Sequence, residues 1–228
     1  MYRALSIAIV VASFAGCTPR ASDSRGDAVV LREERGCVVT VLLDLSGSFE
    51  SQMIDGGKAH AFCLAILDTY FKDRIGEKDE VIIAQISGTD RALLWQGTPL
   101  QLRRDFSDPA SFQVFLRSRA NPGQSKVFQN LAKCLEYASS DPDVVNSKAT
   151  SAVFVLSDML DNDPERDDAR ERLKKALETF ASRDGVLGCY YVDQEVVAKC
   201  REFLAKTGLR KFTVEADIVG NPQLPVIN

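Results

Sequence analysis

The fold of this chain is decided by the stretch CVVTVLLDLSGSF, residues 37–49. Its first part, residues 37–44, is a continuous run of apolar and β-branched residues that ends in the carboxylate Asp44. A run of this kind is typical of a strand buried on both faces of a parallel sheet. The sequence therefore predicts a central strand with an acidic residue at its carboxyl end.

Outward from this strand, apolar runs alternate with segments whose apolar residues recur at helical spacing. Turn residues separate two of the runs and predict a hairpin. We predict strands at 37–44, 80–87, 91–97, 151–158, 186–192 and 211–216. We predict helices ending near Phe71, beginning at Pro109, running from Val127 past Leu135, extending from Asp163 to about Phe180, and covering 196–204.

Strands separated by helices favour an α/β class: a doubly wound, mostly parallel sheet with helices on both faces. The hairpin adds one antiparallel edge strand. Residues 37–216 contain neither a linker nor an evident repeat, so we predict one domain, followed by a C-terminal tail at 217–228. Ligands of such sheets bind outside the carboxyl ends of the strands.

The N-terminus has the features of an export signal. Residues 1–16 contain an apolar run too short to span a bilayer, and Phe14-Ala15-Gly16-Cys17 resembles the bacterial lipobox. That resemblance implies a lipid on Cys17, a tether at 17–36 and a place in the cell envelope. Thr18 after the cysteine favours the outer membrane if the organism has one. The alternative is an ordinary signal peptide cleaved elsewhere.

Composition limits the classes of partner and of site. The formal net charge is −4, which gives no basic surface for a phosphate backbone and argues against nucleic-acid binding. The chain has six cysteines, and those other than Cys17 show no C-x-x-C spacing, which argues against zinc and dithiol chemistry. One disulfide stays open in an oxidising compartment, but core packing is favoured for most of these cysteines.

The strand end itself carries a group of oxygen donors. Asp44, Ser46 and Ser48 alternate as the chain leaves the strand, so their side chains can converge on one point. Carboxylate and hydroxyl oxygens of this kind suit Mg²⁺. The alternative is that Asp44 caps the following helix while the two serines satisfy turn amides.

This segment resembles the D-x-S-x-S motif of von Willebrand factor type A (VWA) domains. In that family a later Thr and a later Asp complete a metal-ion-dependent adhesion site (MIDAS). Residues 123–131 are similar to the segment with the Thr and place Ser125 there, which keeps the hydroxyl. Residues 155–158 are similar to the strand that ends in the Asp and give that role to Asp158. Met159 follows where Gly is commoner.

The resemblance implies a binding module that is not an enzyme. Mg²⁺, with Mn²⁺ as an alternative, would be held by Asp44, Ser46, Ser48, Ser125 and Asp158. A protein partner would complete the coordination shell of the metal with an Asp or Glu side chain. The two carboxylates balance the 2+ charge of the ion, so the site is formally neutral and the ion can still attract a further anionic oxygen. Two further positions are candidates for the metal or its rim, Thr89 and Asp161.

Two other classes of function stay open. A serine hydrolase lacks support, because no histidine follows Ser125 and Asp158, the only histidine being His60, and G-x-S-x-G is absent from the sequence. A Mg²⁺-dependent phosphohydrolase usually presents D-x-D, whereas Ser46 replaces the second acid here. The other class is a structural module of the envelope whose metal site has decayed and which binds partners through its faces.

Overall fold

A computed structural model describes residues 36–47, 49–53, 57–73, 78–87, 92–119, 125–161, 166–216 and 222–227. The described strands are β1 Gly36–Leu43, β2 Glu80–Gln85, β3 Leu93–Gly97, β4 Ala149–Leu156, β5 Val186–Val192 and β6 Lys211–Ala216. The described helices are α1 Glu50–Met53, α2 Lys58–Phe71, α3 Pro99–Asp105, α4 Pro109–Arg119, α5 Val127–Ser140, α6 Pro142–Val145, α7 Arg166–Ser182 and α8 Gln194–Ala205.

The strands form one sheet in the order β3-β2-β1-β4-β5-β6. Only the β2–β3 pairing among them is antiparallel; the other neighbours run parallel. This confirms the α/β class and the antiparallel edge strand predicted from the hairpin. Because β1 lies between β2 and β4, the winding direction reverses at its carboxyl end, where ligands of such sheets bind.

The strand β1 is buried along its whole length, as its unbroken apolar sequence predicts. Val39, Val41 and Leu43 belong to a core cluster with residues of α2 and α4, whereas Leu42 belongs to a second cluster with α5, α7 and α8. Alternate residues of a strand point to opposite faces. The two clusters therefore lie on opposite faces of the sheet, each covered by helices.

The structure moves several predicted boundaries and adds elements. β4 begins at Ala149 and ends at Leu156, so Asp158 lies two residues beyond the strand. The helix α3 was not predicted, although Thr98 and Gln101 form a capping box around Pro99. The beginning of the helix predicted from Asp163 lies outside the described residues, and α7 is described from Arg166.

Part of the predicted C-terminal tail lies against the domain. The Tyr70 hydroxyl donates a 2.6 Å hydrogen bond to the Pro225 carbonyl, and the Tyr190 hydroxyl donates one of 3.1 Å to the Gln223 carbonyl. Leu224 also packs against the core cluster that contains α2. Residues 222–227 thus pack against this core cluster.

The described residues contain no helix with the length and apolar character needed to cross a bilayer. The predicted signal and the candidate lipidation position Cys17 lie outside the described residues.

Candidate functional site

Asp44 lies at the carboxyl end of β1, in the interior of the protein. Its backbone N–H donates a 2.9 Å hydrogen bond to the Leu156 carbonyl, which continues the β1–β4 ladder by one step. Its relative exposure is 0%. A buried carboxyl group needs hydrogen-bonding partners or a cation, because burial of an unpaired polar group costs free energy.

Three residues of the described part of the chain donate hydrogen bonds to this carboxyl group. The Ser46 backbone N–H donates to Oδ1 at 3.0 Å, which is the local turn contact expected if Asp44 organised only its own loop. The Ser157 hydroxyl donates to Oδ2 at 2.9 Å. The Ser125 hydroxyl lies 3.3 Å from Oδ1 and 3.5 Å from Oδ2. The last two residues are distant in sequence, so the contacts go beyond a local turn.

Ser125 is held at this point by the neighbouring strand β2. It forms an isolated antiparallel bridge with Ser87, two residues beyond the end of β2, and it is 4% exposed. The side chain of Asn130, on the first turn of α5, donates to the Ile86 carbonyl. These contacts attach the beginning of α5 to the end of β2 and keep the Ser125 hydroxyl beside Asp44.

Asp158 lies at the same edge of the sheet and is half-buried. Its carbonyl accepts a 3.0 Å hydrogen bond from the Asp193 backbone N–H at the end of β5. Its Oδ1 accepts one of 3.0 Å from the Leu160 backbone N–H. The side chain therefore shapes the loop that follows β4, and its backbone is tied to the next strand.

Of the four remaining predicted site residues, two lie within the described part of the chain and two lie outside it. Ser46 is 4% exposed and adjoins Asp44 through its backbone contact. Asp161 is half-buried and lines a cleft between the loop after β4 and the helices α5, α7 and α8. Ser48 and Thr89 lie outside the described residues.

Ser157 is the site residue that the sequence analysis missed. Its hydroxyl donates to Asp44 and also accepts a 2.9 Å hydrogen bond from the Met159 backbone N–H. Ser157 therefore links the loop after β1 to the loop after β4. The signal was its position next to Asp158, at the end of a strand adjacent to β1. The resemblance to VWA domains assigned a role only to Asp158 at this strand end.

The donor set fits a hard divalent cation. Asp44, Ser125 and Ser157 present carboxyl and hydroxyl oxygens, and a hydroxyl that donates to a carboxyl group keeps lone pairs for a metal. At the same edge, among the described residues, Ser87 Oγ is a buried oxygen without a hydrogen-bond partner. No cluster of three or more His, Cys, Asp or Glu able to hold a metal occurs in the described ranges.

A base for nucleophilic catalysis is not supplied by the only histidine of the chain. The His60 ring stacks against Phe112 of α4, with the ring centroids 6.1 Å apart. Burial holds the pKa of His60 below its ordinary value. His60 is therefore a core residue packed between helices.

Comparisons with known proteins identify the fold. No family model matches the chain, and no curated protein matches it. Among solved structures, the pilus adhesin SpaC from Lactobacillus rhamnosus GG in its open conformation matches with a TM-score of 0.55 at 11% identity, over 82% of this chain and 28% of SpaC. A second structure of SpaC matches with the same TM-score and identity, over 82% of this chain and 29% of that one.

This chain thus spans less than a third of the adhesin that it matches. At this identity the likeness concerns the fold alone, which in this chain is a six-stranded, mostly parallel α/β sheet of Rossmann-like topology.

Proposed function

We propose that this chain is an exported, lipid-anchored binding module of the VWA type, which engages a protein partner through a bound Mg²⁺. The ion would be held by Asp44, Ser46, Ser48, Ser125 and Asp158. The observation that carries the proposal is the contact between the Ser125 hydroxyl and the Asp44 carboxyl group, which joins residues 81 positions apart.

The charges of the proposed site favour an acidic partner. Asp44 and Asp158 are the two carboxylates of the donor set, and the serines add no charge. Mg²⁺ supplies a positive centre that attracts a further anionic oxygen. An Asp or Glu of the partner provides that oxygen, and the loops around the site determine which partner fits.

The fold is compatible with a role in adhesion. Two of the structures that match this chain are those of a pilus adhesin, and the matched region is less than a third of that protein. The resemblance to VWA domains rests on the Asp44, Ser46 and Ser48 motif together with Ser125 and Asp158. We therefore place the partner-binding surface at the carboxyl ends of β1 and β4.

A metal titration tests the site. The full chain in detergent is titrated with Mg²⁺ after treatment with EDTA, and the melting temperature is followed. Binding to the folded state alone stabilises it by about 2.7 kcal/mol when the free ion is at 100 times its dissociation constant. We expect a saturable rise in melting temperature that Asp44→Asn abolishes and Ser125→Ala weakens.

Asp193→Asn is the matched control for this titration. Asp193 lies at the carboxyl end of β5 and caps α8 by accepting a hydrogen bond from the Glu195 backbone N–H. Asn caps helices about as well as Asp, so this variant should retain both the fold and the metal response. A wild-type protein that shows no shift with Mg²⁺ or Mn²⁺ would rule the metal site out.

The partner and the anchor need separate experiments. A pull-down from membranes should recover a partner in Mg²⁺ and lose it in EDTA and in Asp44→Ala. Mass spectrometry of the protein made in its own cells should find a lipid on an N-terminal Cys17. An unmodified terminus would contradict the anchor but leave the binding site untouched.

One observation favours a second candidate, a metal-independent interaction module. Three hydrogen-bond donors of the described residues contact the Asp44 carboxyl group. The loop after β1 is therefore stabilised by contacts within the protein itself. This candidate predicts a partner that stays bound in EDTA and in Asp44→Ala. The pull-down therefore distinguishes the two functions.

A further inference from the structure

Two cysteines lie side by side beneath α8. Cys189 is on β5 and is 1% exposed, and Cys200 is on α8 and is half-buried. Both are free thiols, and both line the same cleft. They pack in the same core cluster, on the face of the sheet covered by α5, α7 and α8. The remaining described cysteines, Cys37, Cys63 and Cys134, are buried.

A cleft gives small molecules access to this pair. It has a volume of about 400 Å³ and is lined by both sulfur-bearing residues, by apolar side chains of α5 and α8, and by the loop after β4. Two cations, Lys199 and Arg170, and one acid, Asp161, also line it, so positive charge is in excess; the Arg170 guanidinium lies 5.2 Å from the centre of the Phe203 ring. An anionic thiol reagent or disulfide is therefore attracted to the cleft.

The two thiols differ in their readiness to react. The hydrogen bond from Cys189 lowers the pKa of Cys200 below its ordinary value, the Arg201 guanidinium acts in the same direction, and burial opposes both. The same hydrogen bond, together with burial, raises the pKa of Cys189. Cys200 is also the more exposed of the two thiols, so it is the one that an oxidant in the cleft reaches first, and Cys189 is the one that resolves.

We propose that Cys189 and Cys200 form a disulfide by exchange with a small disulfide oxidant that enters the cleft. The Cys200 thiolate attacks one sulfur of the oxidant, the oxidant's S–S bond breaks, and its other half leaves as a thiolate that takes up a proton. The Cys189 thiol then loses its proton and attacks the Cys200 sulfur, which releases the second half. The two protein thiols are oxidised, and the oxidant is reduced to two thiols.

The bond would tie α8 to β5 next to the candidate metal site. Cys189 lies in the strand whose partner β4 leads into Asp158, and Met159 of the following loop lines the same cleft. An exported protein meets disulfide oxidants, whereas a cytosolic one is kept reduced. The inference stands on the thiol pair and its cleft, and it is independent of whether Mg²⁺ binds.

Peptide mapping of the full chain tests the proposal. Reduced, folded protein is freed of reductant, incubated with glutathione disulfide, blocked with N-ethylmaleimide and digested with trypsin. Cleavage after Arg183, Lys199 and Arg201 puts the two cysteines on separate peptides, 184–199 and 200–201. We expect these peptides to be recovered joined by a disulfide, with a mass about 2 Da below the sum of the two thiol forms.

Three variants assign the roles. Cys189→Ser should accumulate a glutathione adduct on Cys200, because no resolving thiol remains. Cys200→Ser should leave Cys189 without an adduct. Cys134→Ser is the matched control and should form the disulfide as the wild type does, since burial raises the pKa of Cys134 to about 12 and keeps it unreactive.

The wild-type protein alone can refute the inference. If Cys189 and Cys200 both carry N-ethylmaleimide or remain thiols after oxidation of the folded chain, the proposed disulfide does not form. A disulfide between either residue and a different cysteine would equally overturn it. These results would leave the metal titration unaffected, so failure of this inference and failure of the proposed function can be told apart.

Discussion

Replacing Ser157 with alanine tests whether this residue holds the buried end of β1 in place. The substitution deletes a hydroxyl that donates to Asp44 Oδ2 at 2.9 Å and accepts from the Met159 N–H at 2.9 Å. Ser157 and Asp44 both have a relative exposure of 0%, whereas Met159 is half-buried. Water can thus replace the lost partner of Met159 more easily than that of Asp44.

The expected loss follows from these two contacts. A buried polar group left without its partner costs about 1–3 kcal/mol, and a hydrogen bond at a partly exposed amide contributes about 0.5–1.5 kcal/mol. We expect Ser157→Ala to lower the free energy of unfolding by roughly 2–4 kcal/mol. With an m-value of about 2–3 kcal/mol/M in urea, the unfolding midpoint should fall by roughly 1 M.

The strand that leads into Ser157, β4, offers a matched control, Ser151→Ala. Ser151 is on β4 with 0% exposure, and within the described part of the chain its Oγ has no hydrogen-bond partner. Both variants remove one fully buried hydroxyl oxygen, so packing losses are similar and the hydrogen bonds account for the difference. Ser151→Ala should change stability by less than about 0.5 kcal/mol or raise it.

Equilibrium urea unfolding in EDTA, followed by circular dichroism, measures both variants. Equal effects of Ser157→Ala and Ser151→Ala would refute the role assigned to the Ser157 hydroxyl. Under the proposed function, Ser157→Ala should also weaken Mg²⁺ binding by about 10–100-fold, the usual cost of losing a group that orients a metal ligand.

Three further predictions concern the core and its pH dependence. Burial holds the pKa of His60 below its ordinary value of 6.5. At a pH between the folded and the unfolded pKa, the unfolded chain therefore binds a proton at His60 and the folded chain does not. Stability from this group is complete above pH 6.5 and falls as the pH drops toward the folded pKa; a urea series in wild type and His60→Leu should show the loss only with histidine. A Cβ on Gly188 would lie 2.5 Å from the Tyr190 ring, so Gly188→Ala should cost about 1–3 kcal/mol in thermal unfolding, whereas Gly47→Ala, with nothing within 4 Å, should cost less. Tyr70→Phe removes the hydrogen bond to Pro225 and should lower stability by about 1 kcal/mol while proteolysis of the C-terminal segment accelerates; unchanged proteolysis would contradict the docking of residues 222–227.

The fold could be predicted from local patterns because each pattern has its own physical period. The apolar run of β1 implies burial on both faces, and the turn residues after β2 imply an antiparallel neighbour. The capping box at Thr98 carried the same kind of information about α3, and it was overlooked. Boundaries were less accurate, since a helix or strand end depends on tertiary hydrogen bonds as well as on its residues.

The candidate site was predictable in part. The resemblance to VWA domains implied that Asp44 and Ser125 lie together, and the structure brings their side chains to 3.3 Å. The metal-binding role of that pair stays a prediction. Ser157 was missed because nothing in a single strand's pattern indicates which side chain of the next strand reaches a given carboxyl group.

By itself, the sequence determined the class of sheet and the end of the sheet that carries the oxygen donors. Apolar periodicity and the alternation of strands and helices along the chain can both be read from local sequence. Only the tertiary structure decided which donors meet: Ser157 at Asp44, Cys189 at Cys200, and residues 222–227 over the core. Such contacts depend on register and on distances between chain segments far apart in sequence. A residue's neighbours in the chain carry no record of these distances.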